Sequence, residues 1–72
     1  MIDLAFGPQR ILRLRSHLRL TQRAFAKEVG VSQPTVAKWE GGIREPSGAE
    51  VLSALLRLEN GELPEREEVK AT

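Results

Sequence analysis

Only three residues, Gly30-Val31-Ser32, separate two short stretches that both read as helix, and this punctuation constrains the fold more than any other feature of the chain. Thr21 is a good N-cap. After it Phe25, Ala26 and Val29 share one face of a helix of roughly two turns, residues 22–29, which Gly30 stops. Ser32 is the next N-cap, Pro34 is tolerated in a first helical turn, and Val36 and Trp39 lie three apart on one side of a second helix, residues 33–40. With so short a turn between them, the two helices must cross closely.

The rest of the chain supplies the surroundings. Gly7-Pro8 reads as a helix start, and Ile11, Leu14 and Leu18 follow at helical spacing among Arg10, Arg13 and Arg15, giving a helix over about residues 8–18. Gly41-Gly42 ends the segment after Trp39. Ser47-Gly48-Ala49-Glu50 has the S-x-x-E form of a capping box, and it opens a helix from about Gly48 to Glu59, closed by Asn60-Gly61. Residues 62–72 form a charged tail in which Pro64 could start one more turn. No strand pattern or repeat is visible. The expected class is all-α, a compact bundle of four to five helices, with residues 1–61 as its one domain. A chain of 72 residues buries only roughly 60% of its unfolded surface and has no material for a second core.

Closely crossing helices joined by a three-residue turn have the geometry of a helix-turn-helix, whose packing demands fall on particular positions. Counted from Gln22, the fourth and fifth residues are Phe25 and Ala26, the eighth to tenth Val29-Gly30-Val31, the fifteenth Val36 and the eighteenth Trp39. Ala26 is small where the helices cross, and Gly30 supplies a positive φ. With Ile11, Leu14 and Arg15, Leu20-Thr21-Gln22, Ser32, Glu40 with its following glycine, and Pro46-Ser47, these residues give the segment from Ile11 to Leu58 a resemblance to the Cro and phage-repressor type of helix-turn-helix family. That resemblance implies a λ-repressor-like fold and sequence-specific binding of double-stranded DNA. The Pro46-Ser47-Gly48 opening and Leu55-Leu56-Arg57-Leu58 are also similar to short antitoxin-type regulators. Arg19 departs from the family pattern, which has glycine at the end of the first helix.

If the helix over residues 33–40 lies in a major groove, Val36 and Trp39 face the core, and Gln33, Pro34, Ala37, Lys38 and Gly41 face outward. Gln33 can bond adenine at two points, Lys38 can donate to guanine or phosphate, and Pro34 or Ala37 can touch a thymine methyl. Thr35 sits at the edge, within reach of base or phosphate. The resemblance implies that Gln22 donates to phosphate and braces Gln33. Arg10, Arg23, Lys27 and Arg44 are candidate backbone contacts, each of which also fits a solvated surface charge. Glu40 would repel phosphate and is expected to pair with an arginine, Arg15 being the candidate.

The charge distribution agrees with one basic surface. Residues 1–46 carry +4 and residues 47–72 carry −3, although the whole chain is only +1. With no cysteine there is no disulfide and no thiolate chemistry. His17 has no second ligand at metal spacing and reads as a surface residue. No nucleophile with its base and no carboxylate pair assembles, so neither enzyme nor cofactor is expected. No apolar run approaches the ~20 residues of a membrane span, and the amino end lacks the features of a secretory signal, which makes the cytoplasm the expected compartment. Val51, Leu52, Ala54, Leu55, Leu56 and Leu58 are more apolar residues than one helix face can bury against the first helix. The expected partner is therefore a second copy, meeting at Leu52 and Leu56 and at the apolar start Met1, Ile2, Leu4, Ala5 and Phe6. A toxin protein bound by an antitoxin is the alternative.

Overall fold

The computed structural model describes residues 5–61, which form four helices: α1 (Pro8–Leu18), α2 (Gln22–Val29), α3 (Gln33–Glu40) and α4 (Ala49–Glu59). The first three have the expected bounds. The expected turn after Pro64, the rest of the tail and Met1 to Leu4 lie outside the described residues. No strand occurs among the described residues, and the fold is an all-α bundle.

Local chemistry explains most of the boundaries. Thr21 Oγ1 accepts from the Ala24 N–H at 3.0 Å, taking up one of the donors that the start of α2 leaves open. Gly30 ends the same helix at φ 90°, and its N–H returns to Ala26 O at 2.8 Å. Arg19 ends α1 in the same left-handed region, φ 60°, ψ 41°, the only non-glycine at positive φ among the described residues. The Leu20 N–H bonds Arg15 O across this turn at 3.2 Å. The family's usual glycine is thus replaced by an arginine holding the same conformation.

The start of α4 differs from the expected capping box. Gly48 occupies the N-cap at φ 94°, ψ 138°, with no side-chain cap bond. The box requires serine at the N-cap and glutamate three residues on. With Gly48 there instead, Ser47 stands one residue too early and Glu50 falls at the second helical position. Glu50 still lies in the first turn, where the helix dipole favours a carboxylate.

The core draws on every element: Phe6, Ile11 and Leu14, Phe25, Ala26 and Val29, Val36 and Trp39, Leu55 and Leu58 are all buried. Among the described residues no polar or charged side chain is. α3 packs on both α2 and α1, while α4 packs chiefly on α2 rather than on the first helix.

One further expectation is corrected here. Phe6 does not await a partner's surface, because it is 1% exposed within its own chain and Arg10 lies over its ring, 3.9 Å from guanidinium carbon to centroid. Arg10, a candidate backbone contact, has partners within the chain. It binds both oxygens of Glu59 at 2.8 Å and donates to Ala5 O at 3.1 Å, tying α1 to α4. Leu52 and Leu56 are half-buried at the edge of the core.

Candidate nucleic-acid interface

α3 is held from below and at both ends, which leaves one face outward. Val36 and Trp39, 0% and 3% exposed, anchor its inner side. Gln33, Pro34, Lys38 and Gly41 are exposed, as the helical spacing requires, and Ala37 is half-buried between them. At the amino end the Ser32 hydroxyl accepts from the Thr35 N–H at 3.4 Å and shares a hydrogen bond with the Thr35 hydroxyl at 2.8 Å. Thr35 is thereby drawn into the helix cap and half-buried.

The carboxyl end of α3 closes in a Schellman turn. Gly42, at φ 75°, donates to Trp39 O at 3.2 Å, and the Ile43 and Arg44 N–H groups both donate to Lys38 O, at 3.0 and 3.3 Å. The loop that carries Arg44 is thus pinned to the last turn of α3. Ile43 is 76% exposed there, the most exposed large apolar residue of the described chain. Sequence reasoning overlooked it, although an apolar residue directly after a left-handed glycine is a usual companion of this turn.

The amino-terminal candidates come together. Gln22, Arg23, Gln33 and Pro34 line one open groove along α2 and the start of α3, with Arg15 and Lys27 beside them. Lys38 and Arg44 stand at the opposite end of α3. Behind the groove runs a continuous hydrogen-bonded chain of side chains. Gln33 Nε2 donates to Gln22 Oε1 at 2.6 Å, and Gln22 Nε2 donates to Glu40 Oε1 at 2.9 Å. Arg15 grips the same carboxylate with Nε at 2.6 Å and one terminal nitrogen at 3.2 Å, while its other terminal nitrogen donates to Leu20 O at 2.9 Å.

The expected Arg15–Glu40 pair is therefore present, with side chains only 20% and 11% exposed. Burial pushes the Glu40 carboxyl upward, but the hydrogen bonds from Arg15 and Gln22 and the charge of Arg15 outweigh it and hold the group below its ordinary value of 4.5. Glu40 stays ionised at neutral pH, and its charge is compensated away from the outer face of α3. His17 is exposed. No group of three or more metal-ligating side chains exists among the described residues, and no helix there is long and apolar enough to cross a membrane.

A short second helix and an outward-facing third, locked by a three-residue turn over a shared core, define the helix-turn-helix class. A family model described as helix-turn-helix matches residues 10–55, well over half of the chain, and the protein belongs to that family, in its Cro and repressor-type branch of DNA-binding transcription regulators. No curated protein matches the chain significantly.

Proposed function

We propose that the protein is a sequence-specific repressor that places α3 in the major groove of double-stranded DNA. Gln33 and Lys38 read base edges, Pro34 and Ala37 meet thymine methyls, and Gln22, Arg23 and Arg44 hold phosphates, with Thr35 at the rim. The observation that carries this reading is the exposed row of Gln33, Pro34 and Lys38 on a helix whose other face is buried through Val36 and Trp39. The repressor works as a two-fold dimer, since one eight-residue helix touches few base pairs and a single small module seldom reaches regulatory affinity. Its seam is the half-buried pair Leu52 and Leu56 on α4. A second copy is preferred over a toxin as the occupant because two-fold pairing also supplies the second half-site, about 34 Å away.

Selection from random duplex DNA tests the reading. A palindromic site should emerge, and replacing Gln33 with alanine should cost about 1–3 kcal/mol on it while leaving non-specific binding nearly intact. Selection of the same sequence by a Gln33→Ala, Lys38→Ala double variant would show that α3 is not the reader. A Leu52→Glu, Leu56→Glu variant should stay folded, sediment as a monomer and bind the full site far more weakly.

A further inference from the structure

We infer that Arg19 is a further phosphate contact of the proposed complex, and that the strained backbone beneath it is kept for the sake of that contact. This rests on the proposed placement of duplex DNA against α2 and α3.

The fold gives no reason for an arginine at this position. The turn from α1 to α2 needs a left-handed residue, a conformation that glycine adopts freely and that disfavours any L side chain. Arg19 holds φ 60°, ψ 41°, and it is the only non-glycine at positive φ among the described residues. Its backbone N–H donates to Ser16 O at 3.0 Å, a bond that glycine would make equally well. Arg19 is exposed, and its guanidinium has no hydrogen-bond or ion-pair partner among the described residues. Arg10 and Arg15, by contrast, are held by Glu59 and Glu40. Neither packing nor pairing within the chain therefore accounts for the side chain.

Its position does account for it. The next residue, Leu20, is tied to α1 twice, its N–H donating to Arg15 O at 3.2 Å and its carbonyl accepting from Arg15 at 2.9 Å. Thr21 then caps α2 and joins Gln22, Arg23, Gln33 and Pro34 in lining the open groove. Arg19 thus stands on a fixed turn at most about 7 Å from the lip of that groove. No acidic residue lines the groove, and the carboxylate behind it, Glu40, is already engaged by Arg15 and Gln22. A strand with one phosphate on Gln22 and Arg23 presents its neighbouring phosphates, about 3.4 Å apart along the helix axis, within an arginine's length. A guanidinium there donates two N–H groups to phosphate oxygens, which adds affinity on every duplex and reads no base.

The test uses the full chain with three substitutions, each protein titrated onto the selected site and onto an unrelated duplex over a range of salt. Arg19→Gln removes the charge but keeps a side chain on the left-handed backbone, Arg19→Lys keeps the charge, and Arg19→Gly removes both charge and strain. Arg19→Gln should bind both duplexes about five- to tenfold more weakly at about 0.1 M salt, and the slope of log K against log salt should fall in magnitude by about one. Arg19→Lys should keep the wild-type slope. Arg19→Gly should melt a few degrees above the wild type and lose the same affinity as Arg19→Gln, a gain and a loss together that a purely structural arginine does not produce. Wild-type affinity and slope in Arg19→Gln overturn the contact and leave the DNA reading standing. Weakening confined to the selected site overturns it as well, because Arg19 would then read a base. A melting temperature of Arg19→Gly at or below the wild type overturns the trade of stability for binding. A wild-type protein that fails to bind duplex DNA overturns the proposed function and the Arg19 contact with it.

Discussion

Trp39→Ala should unfold this protein before it reveals anything about recognition. Trp39 is 3% exposed and lies in the cluster that Val36, Phe25 and Ile11 also build. An indole of this burial removes roughly 200 Å² from water, and truncating such a side chain costs about 3–5 kcal/mol once the remaining cavity is included. A domain of this size has a total stability of about 3–9 kcal/mol. The variant should therefore sit close to its folding midpoint at room temperature. Thermal and urea unfolding followed by circular dichroism measure the loss directly, and DNA titration at low temperature separates folding from binding. Trp39→Phe, which keeps most of the apolar volume, should recover a good part of the stability and nearly all of the DNA affinity. A Trp39→Ala protein with a wild-type melting curve and a weakened complex would refute the reasoning and move Trp39 from the core to the interface.

Arg19→Gly should raise stability by about 0.5–1 kcal/mol, because the left-handed conformation at φ 60° strains a side chain and not glycine; an unchanged or lower melting temperature would contradict this. Arg10→Ala should lose about 1–2 kcal/mol through the Glu59 pair and the Phe6 contact, while the salt dependence of DNA binding stays at the wild-type slope; a shallower slope would restore Arg10 as a phosphate contact. The folded state holds the Glu40 carboxyl below its ordinary value, so the stability from its bonds is complete above about pH 4.5 and drains away as pH falls through the lower folded value. Urea midpoints should accordingly be flat with respect to this group between pH 5 and 8, and an Arg15→Met variant, which leaves the half-buried carboxylate to Gln22 alone and so raises its folded-state pKa, should be less stable than the wild type at neutral pH and lose less of its stability on acidification.

The helix boundaries were readable from sequence because each is written in one or two neighbouring residues. Thr21 and Ser32 open helices, Gly30 closes one, and Pro8 tolerates only a first turn. α4 shows where such reading fails. Ser47 and Glu50 have the spacing of a capping box, but Gly48 between them can adopt φ 94°, and the backbone conformation that decides between the two starts is not a property of residue type. The outward row on α3 and the Arg15–Glu40 pair were legible because helical period and charge compensation each leave few choices. The Arg10–Glu59 pair was not, since its members are separated by 49 positions and meet only after α1 and α4 have been placed. The covering of Phe6 depends on that same meeting. The hydrogen bond between the Thr35 and Ser32 hydroxyls was not foreseen, although threonine three residues after a serine N-cap is placed for it.

Lys38 connects the two ends of the proposed interface in a way that residue type alone does not show. Its side chain is exposed on the outer face of α3, while its backbone carbonyl accepts from the amides of Ile43 and Arg44. On the proposed reading, a base contact and a phosphate contact are thus mounted on one rigid turn, so that the phosphate held by Arg44 determines which base pair faces Lys38. Replacing the Lys38 side chain leaves both backbone bonds intact and tests the base contact alone. A substitution at Gly42 does the reverse. Its φ of 75° disfavours any side chain, and a Cβ there would stand 3.5 Å from the Pro8 ring. Strain at Gly42 would shift the Arg44 loop without touching a DNA-facing side chain, and the register of recognition would change through the backbone.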